Sequence, residues 1–428
     1  MKKNMKKYLS MALAAVICIA AAGTAFADVA FTTVDNNYAS GAMGIISKNT
    51  SGDLATTPDV VTGLNGDQAI FSFRNTEGKA RVMISQYTYG QPDTVWIYDP
   101  AGSWTTPIEV QWANFSNKRA IATLGSNLYA MSYDDANIVK VDMTDEKYSQ
   151  TAYIHYTAKN SDYVSAGEDL VAAGDYLYGI FSERKGNYSN YEYNPGVILK
   201  LDKDLNIVAS ADIGKNATKM AVFNDKIYVT SIGGKQNYGS FNTDSKVEMV
   251  DTSTMEVTEL LKGTDMSAQY PGWAFDFHDI VFSDTDAFIL AGAYDNSGFT
   301  FESRIFKVSV ADLNAKKLGN EFADSSNMGW TWGLDYDHVA NQLMCFAGFQ
   351  LNFYNPDDAN DMQVVDSMTA KGNLYSATAI LESIIPPVPP TPTPTPTPTG
   401  SSGGGCNGGF AALALVAVLP LIKKRGKK

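Results

Sequence analysis

A strand-like triplet recurs along the whole chain, and this repetition narrows the possible folds more than any other feature. One apolar run ending in Asp or a small polar residue occurs seven times: GIIS, TVWIYD, NIVKVD, VILKLD, KVEMVD, RIFKVS and MQVVD. Each follows a second run: VAFTTV, RVMISQY, LYAMSY, LYGIFS, IYVTSI, FILAGA and LMCFAG. Six of these pairs are preceded by a third run: DQAIFSF, KRAIATL, EDLVAAG, TKMAVFN, HDIVFSD and WGLDYDH. A seventh run of that kind, ATAILES, stands alone just before IIPPVPP.

Period-2 alternation, β-branched and aromatic enrichment, and Gly/Asn/Asp punctuation identify these runs as strands. With a fourth strand such as PIEVQW or QTAYIHY, each unit becomes a four-stranded antiparallel sheet of about 50 residues, the size of a propeller blade. The expected fold is therefore all-β, a β-propeller of seven four-stranded blades. ATAILES would serve as the innermost strand of the first blade, a closure that leaves no open seam. Six or eight blades would require one of the seven matches to be false.

The ordering resembles the YVTN-type seven-bladed propellers of secreted bacterial proteins, in which an inner strand often opens with His-Asp-Ile, as HDIVF (His278, Asp279, Ile280) does here. The resemblance implies the fold and says little about activity, because this architecture hosts binding proteins, lactonases and quinoprotein-like enzymes alike.

Strand order assigns every loop to one of two faces. Turns between first and second strands (GSN, GDY, ND) and between third and fourth (DPAGS, DMTDE, DKDLN, DTSTM) are short and rich in Asp, Asn and Gly, as tight turns require. The opposite face collects long segments: SERKGNYSNYEYNPG, GGKQNYGSFNTDS, YDNSGFTFESR, FQLNFYNPDDAND, KGTDMSAQYPGWAFDF and GNEFADSSNMGWTW. Long loops on a rigid scaffold are where function concentrates. Aromatics mixed with amides and carboxylates suit sugar rings or extended peptides, so Tyr188, Tyr191, Tyr193, Tyr238, Trp273, Trp330, Trp332 and Tyr354 are candidate ligand-binding residues, each weighed against a role in packing the loops onto the disc.

Inner strands begin on this same face, so their first residues should ring the channel mouth: Asp67/Gln68, Lys118/Arg119, Glu168/Asp169, Thr218/Lys219, His278/Asp279, Trp332/Gly333 and Ala377/Thr378. At the second position Arg119, Asp169, Lys219 and Asp279 alternate in sign. That pattern suits a salt-bridge ring closing the channel; the other reading is a polar ligand or metal site around Asp67, Asp169, His278 and Asp279.

The sequence holds only three histidines, and His155 and His338 fall in a strand end and a turn, so a three-histidine zinc site is not expected. G-x-S-x-G, H-E-x-x-H and P-loop patterns are absent. The acidic turns at Asp357, Asp358 and Asp361 and at Asp134 and Asp135 could offer oxygens to calcium but lack EF-hand spacing. No catalytic residue and no cofactor is therefore expected, with calcium the one metal kept in view.

Both ends of the 428 residues read as processing segments. Residues 1–27 have a basic start, an apolar stretch and small residues at Ala25 and Ala27, the pattern of a signal peptide cut after Ala27. A lipoprotein reading through Cys18 is disfavoured by Ile17 before it. Residues 28–385 would form the propeller, 386–405 a Pro/Thr then Gly/Ser linker, and 406–428 a short apolar helix with a basic tail. The formal charge is −13; setting aside four lysines in the leader and five Lys/Arg after Ile422 leaves −22. Such a body repels phosphate backbones and anionic lipid, so nucleic acid is not an expected partner. Among three cysteines only Cys345 lies in the body, so no internal disulfide is available.

After an extended Thr-Pro spacer, the apolar run Gly408–Ile422 covers about 22 Å as a helix against about 30 Å of bilayer core. It is a poor permanent anchor, and Pro420 weakens it further. The ending SSGGGCNGGFAALALVAVLPLIKKRGKK resembles the Synergist-type C-terminal sorting signal (Synergist-CTERM), a relative of the GlyGly-CTERM signals. The resemblance implies processing near Cys406 by a rhombosortase-type rhomboid protease, alongside signal peptidase at the other end, and display at the cell surface; a simple C-terminal anchor is the alternative. The functional expectation is a surface-displayed binding module for a glycan, peptide or small polar molecule, touching membrane only through its C-terminal segment. The alternatives are an extracytoplasmic lactonase- or quinoprotein-like enzyme working at the channel mouth, or a passive surface-layer component.

Overall fold

The alternating runs do form strands, and they group into seven antiparallel sheets of at least four strands each. The computed structural model describes residues 29–379 except 36–38, 49–53, 103, 188–189, 237–243, 296–300, 325–330, 339, 348–349 and 367–372. Both end segments, with Ala27 and Cys406, lie outside the described residues, as do Tyr188, Tyr238 and Trp330.

Blade 1 is built from both ends of the domain: Asn373–Ala379 lies innermost, followed by Val29–Val34, Ser40–Lys48 and Leu54–Asn65. The closing strand pairs antiparallel with Val29–Val34, Ala377 opposite Phe31 and Thr378 opposite Ala30. It begins at Asn373, four residues before the ATAILES run. In the other six blades the strands follow one another outward in chain order, starting from Gln68–Arg74, Lys118–Leu124, Val164–Ala173, Ala217–Phe223, Trp273–Phe282 and Thr331–Asp337. Helix is confined, among the described residues, to a 3-10 turn at Asp265–Ala268 and one α-turn, Val310–Asn314, capped by the Ser309 hydroxyl accepting from the Asp312 amide at 3.1 Å.

The core is divided the way a propeller demands. Seven apolar clusters lie one between each pair of neighbouring blades. Val29, Phe31 and Ile46 of blade 1 meet Met344, Leu351 and Phe353 of blade 7, so the ring closes by the same packing that joins every other pair. Blades pack through both faces, which is why middle strands read as nearly continuous apolar runs such as IleIleSer or ValIleLeuLys rather than strictly alternating ones.

Several assignments change: YDNSGFTFESR, KGTDMSAQYPGWAFDF and GNEFADSSNMGWTW, expected as long loops, each include strand residues, since strands reach Asp295, resume at Phe301, begin at Trp273 and Thr331, and occupy Asn320–Asp324. MQVVD belongs to the outer strand of blade 7, Asp358–Asp366, and the third strand is Gln350–Asn355. The segment FQLNFYNPDDAND is thus a strand and a tight turn on the short-turn face, not a long loop opposite. The cause is local: the Asn355 side chain accepts from the Asp357 amide at 3.0 Å, an Asx turn that closes a hairpin between these two strands. Likewise SERKGNYSNYEYNPG is mostly hairpin, because the second and third strands of blade 4 run on through Lys185 and resume at Tyr191. A two-residue strand, Lys235–Gln236, adds to its edge at Tyr191 and Glu192.

Candidate functional site

The ladder from inner to second strand breaks by one residue in six of seven blades; in blades 4 and 6 the break lies mid-strand, because those inner strands begin at Val164 and Trp273, earlier than the expected starts at Glu168 and His278. The skipped residues are Arg119, Glu168, Thr218, His278 and Trp332 in blades 3 to 7, and Tyr375 in blade 1. Such bulges bend a strand and re-aim the extra side chain. In blades 3 to 7 the bulge directly precedes Ala120, Asp169, Lys219, Asp279 and Gly333. Arg119 therefore occupies the position of Glu168, Thr218 and His278, one step out of register with Asp169, Lys219 and Asp279. The alternating charges at the second position do not form a single layer.

The residues after the bulge serve the scaffold. Asp169 accepts the Met220 amide of the next blade at 2.8 Å and its own neighbour Leu170 at 3.0 Å. Asp279 repeats the device two blades on, accepting Leu334 at 2.9 Å and Ile280 at 2.8 Å. Lys219 lies between them, its ammonium pushed upward in pKa mainly by Asp169 and then by Asp279 and Asp335. Burial raises Asp169, Asp335 and Asp279, the last to about 6. His278 is the opposite case: burial lowers its imidazole to about 4, and its Nε2 has no hydrogen-bond partner among the described residues. A histidine that stays neutral and points a nitrogen into protein is a weak base for catalysis.

Blades 3 and 4 carry a different arrangement. The Arg119 guanidinium lies 3.9 Å from the centroid of the Tyr133 ring and the Arg184 guanidinium 4.2 Å from the same centroid. Two blades thus each place a guanidinium against one ring. Arg184 in turn lies 4.7 Å from the Tyr191 ring, and Tyr191 meets Tyr193 edge-on at 6.1 Å. The result is a column, Arg119, Tyr133, Arg184, Tyr191, built from strand ends of two blades. Arg184 also donates to the Tyr133 hydroxyl. Cation–π contacts of this kind contribute about 0.5–2 kcal/mol each and hold planar groups in register.

Beneath the column lies Glu168, buried and raised in pKa by that burial; Arg119, Arg184 and Lys219 pull it back down. Its Oε1 accepts the Ser182 hydroxyl at 2.5 Å, while Arg119 Nε stands 3.9 Å from Oε2. Gly167 permits the approach: a Cβ there would lie 2.4 Å from the Ser132 carbonyl oxygen and 2.7 Å from Met131 Cγ. Beside this group Lys118 is buried against Asp67, with 2.8 Å to its carboxylate and 2.9 Å to its carbonyl.

The remaining candidates disperse. Trp273 packs at 4.1 Å against Arg304, which is already paired with Glu302 at 2.9 Å and Glu321 at 2.6 Å. Tyr193 is 5% exposed and Tyr354 fully buried within its strand, so Tyr354 has no surface to offer a ligand. Trp332 is a bulge residue of blade 7. In the acidic turns Asp357 binds Lys307 at 2.8 Å, Asp134 accepts the Tyr87 hydroxyl at 3.0 Å and Asp135 the Ser116 hydroxyl at 2.9 Å. His155 contacts the Asp135 carbonyl at 2.8 Å on an outer strand. Tyr133 and Arg184, central to the column, escaped the sequence reading; a tyrosine ending a second strand (MSYDD) and an arginine opening a loop (SERKG) read as ordinary surface.

Ring closure, blade number and strand order define a seven-bladed β-propeller. No family model and no curated protein matches the sequence. Solved structures do match in fold. A Bacteroides fragilis protein described as a candidate 6-phosphogluconolactonase aligns with a TM-score of 0.53 at 11% identity, over 83% of this chain and 98% of that one. A Bacteroides uniformis protein with the same description gives 0.50 at 10% identity, over 79% and 97%. A Lactobacillus plantarum protein gives 0.51 at 9%, over 83% and 97%. At such identities the likeness shows the fold alone.

Proposed function

We propose that this chain is an exported propeller that works as a binding module, seating a sugar-like ring at the channel mouth against the Arg119, Tyr133, Arg184, Tyr191 column. The observation that carries the reading is the column itself. Its four planar groups come from strand ends of two blades on the long-loop face and lie outside the seven apolar cores. A preassembled planar face spares a ligand the entropy of ordering it. Export and surface display rest on the sequence of the two ends, and an intact Lys428 in the mature protein, read by mass spectrometry, refutes the sorting signal.

A glycan array followed by titration calorimetry tests the site. Tyr191→Ala and Tyr133→Ala should each weaken the selected saccharide at least tenfold, a loss of about 1.4 kcal/mol. An unchanged profile in both variants refutes the reading.

The enzyme alternative draws on two fold neighbours described as lactonase candidates and on Asp279, whose pKa near 6 suits a general base. Against it, both Asp279 oxygens already accept backbone amides. Lactone hydrolysis that is lost in Asp279→Asn and kept in Tyr191→Ala would favour the enzyme.

A further inference from the structure

We infer that the site reaches beyond the stack onto blade 2, where Tyr89 offers a further ring, and that its ligand is an uncharged oligosaccharide long enough to cross from blade 2 to blade 4. The inference rests on the binding reading above and adds the ligand's length. Lys118 and Arg119 are neighbours at the start of one inner strand, and each lies over a tyrosine. Lys118 Nζ is 5.6 Å from the centroid of the Tyr87 ring, and the Arg119 guanidinium 3.9 Å from that of Tyr133. The two tyrosines are also tied to each other, because the Tyr87 hydroxyl donates at 3.0 Å to Asp134, the residue after Tyr133. Tyr87, Tyr133 and Tyr191 stand at the long-loop ends of strands in blades 2, 3 and 4, so the aromatic row spans three blades.

Tyr89 extends that row at its blade 2 end. The Gln91 amide donates to the Thr88 carbonyl at 3.0 Å across Tyr89 and Gly90, and the Gly90 φ of +74° makes this a type II turn with Tyr89 at its first corner. Backbone bonds of 2.8 Å, from Tyr87 to Asp67 and from Asp93 to Phe115, fix the segment on both sides. The turn is held in place, yet Tyr89 is 90% exposed, against 60% for Val164, the next large apolar residue among those described. A ring presented on an ordered turn loses little freedom when a sugar face stacks on it. Charges along the row are already matched: Lys118 meets Asp67 at 2.8 Å, Asp134 accepts the Tyr87 hydroxyl, and Asp135 accepts the Ser116 hydroxyl at 2.9 Å. A charged ligand would find those groups engaged, so uncharged rings with hydroxyl edges suit the row better. One pyranose covers one aromatic ring, and contact with both Tyr89 and Tyr191 therefore needs a chain of sugars.

The test is calorimetry on the intact chain with cello- and chito-oligosaccharides of two, four and six units, for the wild type, Tyr89→Ala, Tyr89→Phe and Tyr191→Ala. Circular dichroism and melting temperature verify folding of each variant. In at least one series the wild-type affinity should rise about tenfold or more from the dimer to the hexamer. Tyr89→Ala should bring the hexamer down toward the level of the dimer, Tyr89→Phe should keep most of the gain, and Tyr191→Ala should weaken every length. Equal affinity for all lengths, or a length dependence unchanged in Tyr89→Ala, overturns the extension onto blade 2 and leaves the stacking site standing. If neither series binds the wild type, this inference falls; if the glycan array is blank as well, the saccharide reading falls with it.

Discussion

Two arcs of the channel mouth use adjacent inner-strand positions, on and after the bulge, for opposite purposes. In blades 4 to 7 the charged groups turn inward and hold the scaffold: Asp169 and Asp279 accept amides from the next blade, with Lys219 between them. In blade 3 the bulge residue Arg119 instead packs on Tyr133, in a stack shared with Arg184 and Tyr191 of blade 4. The difference comes from one residue of register. A charge placed after the bulge meets the neighbouring backbone, whereas the charges on the bulge differ: Glu168 is buried against Ser182, and Arg119 lies partly exposed against Tyr133.

Removing the inward arc should cost most. Asp169→Ala leaves the Met220 amide without its acceptor and Lys219 without its main counter-charge. Breaking a buried charge pair from one side costs about 3–5 kcal/mol, which urea unfolding would show as a lower midpoint. A loss under about 1 kcal/mol would mean that the channel solvates Lys219 and that the two arcs do not differ.

Next is a pH effect. The Asp279 carboxyl is raised to about 6 by burial, against 3.8 for an ordinary aspartate. Between those values the folded state holds the proton more tightly than the unfolded chain, so this group's contribution to stability is present at pH 4 and is lost as pH rises past 6. Asp169 and Asp335 shift in the same direction. Asp279→Asn cannot ionise and so lacks this loss. Relative to wild type, the variant should gain up to about 3 kcal/mol between pH 4 and pH 7. A flat difference across that range would show that Lys219 keeps Asp279 ionised throughout.

Gly167→Ala addresses the seam that joins the two arcs. Its new methyl would press on the Ser132 carbonyl and Met131, so blades 3 and 4 must separate slightly. Overpacking of this kind costs about 1–3 kcal/mol. Because Glu168 is the next residue, saccharide affinity should fall as well. Stability lost without affinity would place the column outside the reach of this seam.

Sequence periodicity carried the blades, their number and the closing strand, because apolar alternation reports burial directly and burial is what a propeller repeats. It did not carry the bulges. A bulge is a mismatch between two strands, set by how blades crowd near the axis, and no residue type announces it; Arg119 was therefore aligned with Asp169 and Lys219 instead of Glu168 and Thr218. Blade 7 misled for a related reason. LNFYN has the alternation of a strand, but its Asn- and Asp-rich surroundings imitate a loop. The column was half legible: Tyr191 and Arg119 stood out by type and place, while Tyr133 and Arg184 matter only through contacts between blades.

The smallest expected effect is the stability change in Arg119→Gln, and it completes the contrast with Asp169→Ala. Arg119 is partly exposed and 3.9 Å from Glu168, so the pair resembles a surface ion pair, worth about 0–1 kcal/mol. Glu168 keeps the Ser182 hydroxyl and the field of Arg184, and it can take up a proton when Arg119 is gone, since burial already favours its neutral form. Unfolding in urea should therefore shift by less than about 1 kcal/mol. A larger loss would show that Arg119 braces the scaffold as Asp169 does, and the distinction between an arc that holds and an arc that binds would disappear.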